Sequence, residues 1–127
     1  MRRLECDSLI FDLDGTLWDA SEATAKAWTI AAQRLGLDRT LTASQIRSVS
    51  GLPFLTCVET LFKAEHNFGR VDFNHLQSQL DQQERIELRA IGGTLYEGVA
   101  SALRILSERF RLFVVSNCQE WYLEELF

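Results

Sequence analysis

Asp12 and Asp14 stand one residue apart in the stretch SLIFDLDGTLWD, Ser8 to Asp19, directly behind bulky apolar side chains and ahead of Gly15 and Thr16. Two carboxylates held in different environments can divide labour, one acting as nucleophile and the other as general acid and base. Thr16 adds a hydroxyl and an N–H, and Gly15 permits a turn that a side chain would obstruct. The same local spacing equally suits a solvated Asp-Gly turn, because both residues are ordinary turn formers. A calcium loop is excluded. With Asp12 as its first ligand, Leu17 stands where the loop requires glycine and Ala23 where it requires the bidentate glutamate.

These residues need an element that delivers them. Leu9-Ile10-Phe11 reads as a short buried strand covered on both faces, which puts Asp12 to Thr16 at its carboxyl end, where open α/β sheets bind ligands. If the strand persists, Asp12 and Asp14 point the same way. Asp19 and Glu22 have capping-box spacing and open a helix over roughly residues 20 to 35, with Ala23, Ala27, Ile30/Ala31 and Leu35 on one face. Thr42 with Gln45 forms a second capping box, Pro53 suits the first residue of another helix, and Asp72 suits the cap of a longer one. That last helix carries Phe73, Leu76 and Leu80 on one face, continued by Gln83/Glu84 and Glu87/Leu88. The span from about residue 20 to 90 is therefore a helical lobe. Gly92 to Tyr96 reads as a return linker, Glu97 to Arg109 as a helix, and Arg111 to Val115 as the best strand in the chain, ending at Ser116-Asn117. A last helix begins at Gln119 and carries Trp121, Leu123, Leu126 and Phe127. The order is that of an α/β domain with an insertion after its first strand.

Composition narrows the partners. The chain has 127 residues, 46% apolar and 24% charged, which is globular composition with room for one core. A formal charge of -5 implies no general attraction to nucleic acid or to an anionic membrane surface. Leu9 to Phe11 is too short for a signal segment or a membrane span, and the three widely spaced cysteines, Cys6, Cys57 and Cys118, fit reduced thiols. The expectation is a cytoplasmic protein. His66 and His75 have neither metal-ligand nor triad context and are expected at the surface. Trp28 either lines the crevice or packs within the lobe, and an amphipathic helix favours the second.

Phe11-Asp12-Leu13-Asp14-Gly15-Thr16-Leu17 resembles the first motif of the haloacid dehalogenase-like hydrolase superfamily, hydrophobic residues followed by DxDGT. Leu112 to Asn117 resembles its second motif, a hydrophobic strand ending in Ser or Thr and often followed by Asn. The helical insertion resembles the cap of the phosphoglycolate phosphatase and β-phosphoglucomutase branch. The resemblance implies an α/β fold, a Rossmann-like core over residues 1–18 and 92–127 with an all-helical cap inserted over residues 19–91. It further implies Asp12 as the nucleophile and a Mg²⁺ ligand, and Asp14 as acid and base, its backbone carbonyl also facing the metal. Ser116 and Asn117 would hold the phosphoryl oxygens, with backbone N–H groups at Leu13 and Asp14 completing the cradle. Arg47, in the RSVSGLP segment, would reach a second charged group of the substrate. Mg²⁺ would let an anionic carboxylate approach an anionic phosphate. The substrate implied is a small phosphorylated metabolite, with no nucleic acid and no membrane as partner. The presence of Asp14 favours phosphate esters over carbon-halogen or phosphonate cleavage. Hydrolysis is favoured over sugar-phosphate mutase chemistry, and a catalytically inactive binding or regulatory fragment is the reading from a different class.

The family's third motif, a lysine, and its fourth, an acidic pair, both fall after the second motif. Here Lys26 and Lys63 lie in the insertion, and Glu120, Glu124 and Glu125 follow Asn117 too closely. The expectation is therefore the first part of a longer phosphatase, a poor catalyst alone. Two strong strands would also leave apolar sheet faces bare unless a further segment or a partner covers them.

Overall fold

The computed structural model describes residues 5–126, so Phe127 lies outside the described residues. In chain order the elements are β1 (Ser8–Phe11), β2 (Trp18–Asp19), α1 (Ser21–Arg34), α2 (Ala43–Val49), α3 (Phe54–Phe62), a 3₁₀ turn (Phe68–Arg70), α4 (Phe73–Ala90), β3 (Thr94–Leu95), α5 (Val99–Ser107), β4 (Arg111–Val114) and α6 (Glu120–Leu126). β1 and β4 pair in parallel, Ser8 opposite Arg111 through Phe11 opposite Val114. The ladder continues one step, with the Val115 N–H donating to the Phe11 carbonyl at 2.9 Å. Phe11 and Val114 thus end side by side, and the segments after them, Asp12–Gly15 and Ser116–Cys118, leave the sheet at the same edge. This is the α/β class expected, a Rossmann-like parallel pair with a helical cap.

A second, two-residue ladder was not foreseen. β2 and β3 pair antiparallel, Trp18 with Leu95 and Asp19 with Thr94, so the strands entering and leaving the helical lobe are laced together. The return linker is ordered by this pairing, a contact between residues far apart in sequence that no local pattern announces.

The lobe has its own apolar core. Ala23, Ala27 and Ala31 lie on one face of α1 and are fully buried, and such small side chains let α1 and α4 approach closely. Phe62, Val58, Leu76 and Leu80 fill the space between helices, each fully or almost fully buried and each contributing about 1.5–3 kcal/mol by leaving water. Trp28 packs here against Phe54 and Phe62. The Thr42 capping box forms as expected, and Asp72 accepts from the His75 N–H at 2.8 Å. Such a cap is worth about 1 kcal/mol to its helix. The box expected at Asp19 and Glu22 does not form. α1 starts after Ala20, and Asp19 instead accepts from the Ser21 N–H at 3.0 Å and from the Ser21 hydroxyl. Pro53 sits one residue before α3 rather than within it.

The second cluster, Leu13, Leu17, Trp121 and Tyr122, joins the loop after β1 to α6, with Phe11, Val99, Leu103 and Val114 packed against it. It covers only one face of the parallel pair. Ile10, Phe113 and Val115 are 69%, 50% and 63% exposed, which corrects the expectation of a strand covered on both faces and agrees with that of a bare sheet face. The physical cause is that α5 and α6 supply apolar side chains to one side, and no described element packs on the other. No helix among the described residues is long and apolar enough to cross a membrane.

Candidate active site

The loop after β1 is wound around one carbonyl. The Leu13 oxygen accepts from the N–H groups of Thr16 (3.2 Å), Leu17 (2.9 Å) and Trp18 (3.4 Å), while the Gly15 N–H donates to Trp18 (3.0 Å). Gly15 has φ +77°, the left-handed region where a Cβ is strained, so the turn itself requires glycine there. Strand geometry stops at Phe11, so the i, i+2 alternation expected to align the two aspartates does not operate. Their separate environments come from the turn. Asp12 is exposed and its Oδ2 accepts from the Thr16 hydroxyl at 3.0 Å. Asp14 is half-buried, and its Oδ1 accepts from both Tyr122 Oη at 2.9 Å and Trp18 Nε1 at 3.1 Å.

Burial raises the pKa of Asp14 above the ordinary aspartate value, the two hydrogen bonds oppose that rise, and the charges of Asp12 and Asp19 add to it. The same surroundings push the Tyr122 hydroxyl far up, so it remains a donor to Asp14. A carboxyl in this setting holds its proton more readily than an aspartate free in water, the direction that suits a general acid.

Asp14, Ser116 and Asn117 line one crevice of about 100 Å³ between the parallel pair's carboxyl edge and the lobe. The Ser116 Oγ accepts from the Cys118 N–H at 3.2 Å, which fixes the hydroxyl over the loop. Asn117 Nδ2 donates to the Gly51 carbonyl at 2.8 Å, tying this loop to the RSVSGLP segment of the lobe. Asp12 and Leu13 stand outside the crevice wall, Leu13 buried beneath the turn. Arg47 also stands outside it, its Nε bonded to Asp19 Oδ2 at 2.9 Å. The expected contacts are therefore partly assembled: Asp14, Ser116 and Asn117 together, Asp12 at the rim, and Arg47 engaged with a carboxylate of its own chain.

Three groups in this region were not expected as site residues from the sequence. Tyr122 and Trp18 hold Asp14; Tyr122 is 108 residues from its partner and has no local signal, whereas Trp18 lies four residues on, within the same turn. Glu84 lines the crevice from α4, accepting from Trp28 Nε1 and Thr24 Oγ1, each at 2.8 Å, and burial pushes it up to about 7. Its signal was readable: Leu76, Leu80 and Glu84 recur every fourth residue, placing a carboxylate on the buried stripe. Trp28 both lines the crevice and packs within the lobe. His66 and His75 are exposed, and Cys57 and Cys118 are free thiols whose pKa burial raises.

Gly93 couples the linker to Asp14. A Cβ there would lie 2.4 Å from Trp18 Cε3, so the indole rests directly on the glycine backbone. Gly93→Ala is expected to displace that ring, weaken its bond to Asp14 and lower stability by about 1–3 kcal/mol, read by urea unfolding and by Trp fluorescence. Unchanged stability with an unshifted emission maximum would contradict this account.

The donor set suits a hard divalent cation in part. Asp12 offers a carboxylate oxygen and Asp14 a backbone carbonyl, hard oxygen donors of the kind Mg²⁺ takes in ones and twos alongside water. Among the described residues no group of three or more His, Cys, Asp or Glu is placed to hold a metal ion.

A sequence profile described as haloacid dehalogenase-like hydrolase matches residues 9–126. No curated protein matches the chain. Among solved structures, a hydrolase from Pseudomonas syringae aligns over 94% of this chain and 53% of its own, at 18% identity and a TM-score of 0.67. A predicted phosphoglycolate phosphatase from Haemophilus somnus 129PT aligns over 91% and 54%, at 19% identity and 0.71. A hydrolase from Streptococcus pneumoniae TIGR4 aligns over 92% and 57%, at 25% identity and 0.51. The chain spans about half the length of these solved structures.

Proposed function

The chain belongs to the haloacid dehalogenase-like hydrolase family, and from that premise we propose that it carries the nucleophile and the acid/base of a phosphatase acting on a small phosphate monoester. The branch proposed is that of phosphoglycolate phosphatase and β-phosphoglucomutase, with residues 19–91 as the cap over the core. The carrying observation is Asp14: half-buried, raised in pKa, held by Tyr122 and Trp18, and sharing a crevice with Ser116 and Asn117.

In this reading the Asp12 carboxylate attacks phosphorus in line with the leaving oxygen. The P–O bond to the alcohol breaks as an aspartyl-phosphate forms, and Asp14 gives its proton to the departing alkoxide. Asp14, now ionised, takes a proton from water as that water attacks the phosphoryl group, which returns Asp12 and releases inorganic phosphate. Ser116 Oγ and the Asn117 amide donate to the equatorial oxygens, and N–H groups at Leu13 and Asp14 complete the cradle. Asp12 and the Asp14 carbonyl would hold Mg²⁺, which when bound offsets the repulsion between phosphate and carboxylate. Arg47 enters at the rim, where it neutralises Asp19. A further core segment or a partner would cover the bare face at Ile10, Phe113 and Val115.

The chain alone is expected to be a poor catalyst, and the phosphate it does release from a panel of monoesters is expected to require Mg²⁺, to stop on addition of EDTA and to return with excess Mg²⁺. Release that persists in EDTA would overturn the metal assignment. No release from any monoester, together with no binding of one, would overturn the phosphatase reading.

A further inference from the structure

We propose that Asp81, Arg85 and Arg89, on α4 of the helical lobe, are positioning residues for the acid/base carboxylate: they fix α6, and α6 holds Asp14 through Tyr122. This rests on the role proposed for Asp14 above and adds the layer of residues that keeps its carboxylate in place.

The three residues recur at every fourth position, so they form one stripe along α4. Each meets α6 or the turn that opens it. Arg89 grips Glu125 with two bonds, Nε to Oε2 at 3.0 Å and Nη2 to Oε1 at 2.6 Å, the fork geometry that fixes orientation as well as distance. The Arg85 guanidinium lies over the Trp121 ring, 4.8 Å from its centre, within the range of cation–π attraction. The Asp81 carboxylate faces the Trp121 indole N–H and the Gln119 amide. Burial raises its pKa, and the Trp121 N–H, the Arg85 charge and the Gln119 amide oppose that rise. Asp81 Oδ1, Trp121 Nε1 and Gln119 Nε2 are shielded from water and have no partner elsewhere among the described residues, so each is the complement of the others.

Helix geometry carries these contacts to Asp14. Trp121 and Glu125 are four residues apart and share the face of α6 that meets α4, whereas Tyr122 is turned from Trp121 by about 100° and leaves that face. Its hydroxyl donates to Asp14 Oδ1 at 2.9 Å, the oxygen that also accepts from Trp18 Nε1. Edge-to-face packing joins the three rings, Trp121 to Tyr122 at 5.6 Å and Tyr122 to Trp18 at 5.9 Å between centres. At seven residues α6 is too short to keep its place by its own hydrogen bonds, which leaves its position to these side chains and to the apolar cluster beneath it. A shift of α6 against α4 therefore moves the hydroxyl that reaches Asp14. A misplacement of about 1 Å in a catalytic group costs on the order of 10²-fold in rate.

The test is NMR of the chain labelled at the tyrosine Cζ and the tryptophan indole nitrogens, without substrate. Two tyrosines and three tryptophans give few signals, and Tyr96→Phe, at an exposed position, identifies that of Tyr122. Arg89→Ala is expected to move the Tyr122 Cζ and Trp18 indole signals toward those of free side chains and to quicken solvent exchange at the Trp18 N–H several-fold, although Arg89 bonds to neither residue. Arg89→Glu should move them further, because like charges then meet, and adding Glu125→Arg should bring them back. Gln82→Ala, exposed on α4 and off the stripe, should leave both signals in place. Asp81→Ala, which removes the acceptor facing Trp121, is an independent variant expected to shift the same two signals, and it decides should the Arg89 variants not fold. Signals that stay in place in Arg89→Ala and Asp81→Ala, that move equally in Gln82→Ala, or that the charge-swapped pair fails to restore would each overturn the positioning role. Unmoved signals sink this inference alone, since no monoester enters the measurement. Failure of every monoester to bind sinks the phosphatase reading and, with it, the acid/base part of this one.

Discussion

Asp12→Asn is expected to abolish the slow monoester hydrolysis expected of this chain and, in a chain that also carries the family's lysine and later acidic motifs, to lower kcat by about 10⁴-fold or more, while binding of ethyl phosphate changes little. A neutral amide is a poor nucleophile toward phosphorus, and removing the nucleophile of a covalent mechanism leaves only what positioning and electrostatics supply. A drop of that size corresponds to about 5 kcal/mol of transition-state stabilisation. The fold should not suffer, because Asp12 is exposed and its one side-chain bond, from the Thr16 hydroxyl at 3.0 Å, can be accepted equally by an asparagine carbonyl. Phosphate release and trapping of the covalent intermediate are the paired measurements. A variant that keeps its rate would return the aspartate pair to the plain Asp-Gly turn that local spacing also allows.

The second large effect concerns stability. Glu84 is buried, and its pKa rises from 4.5 to about 7 because desolvation outweighs the bonds from Trp28 and Thr24. The folded state therefore binds this proton more tightly than the unfolded state. Below about 4.5 both states are protonated and the group makes no difference. As pH rises through the window from 4.5 to about 7, the unfolded chain ionises first and stability falls. Above it the full penalty applies, of the order of 3 kcal/mol. Glu84→Gln should flatten the slope and make the variant more stable than the parent at pH near 8, by about 3 kcal/mol at most. The amide can still accept from Trp28 Nε1 and donate to the Thr24 hydroxyl. Urea unfolding on either side of the window reads this directly, and an unaltered slope in the variant would show the carboxyl to be better solvated than its burial implies. Asp14 and Asp81 are also raised by burial, so they account for slope that remains. Asp7, Asp19 and Glu125 are lowered, and their contributions are lost only on going further into acid.

Local chemistry was legible wherever one segment contains both partners. The Thr42 box closes within four residues, and Asp72 caps its own helix. The same rule misled at Asp19, whose spacing to Glu22 suits a box. Its carboxylate serves the Ser21 N–H and hydroxyl on one side and Arg47 on the other. Tertiary demand there outweighed a cap worth about 1 kcal/mol. The apolar run at β1 was read correctly as a strand but not for its coverage. Periodicity reports what a strand can bury, and whether a second layer is present to bury it depends on elements elsewhere.

The sequence by itself determined the residue types of the candidate chemistry and their delivery at a strand's end: Asp12, Asp14, Gly15, and Ser116 after the second strong strand. These are consequences of short-range sterics and of apolar runs, both written in consecutive residues. Only the tertiary structure decided which aspartate is solvated and which is shielded. That difference arises from the burial of Asp14, with Tyr122 and Trp18 reaching it, and from Gly93 leaving room for the Trp18 ring. Acid strength follows from desolvation and from hydrogen bonds such as that of Tyr122, 108 residues from Asp14, and neither can be read from a residue and its neighbours in the chain.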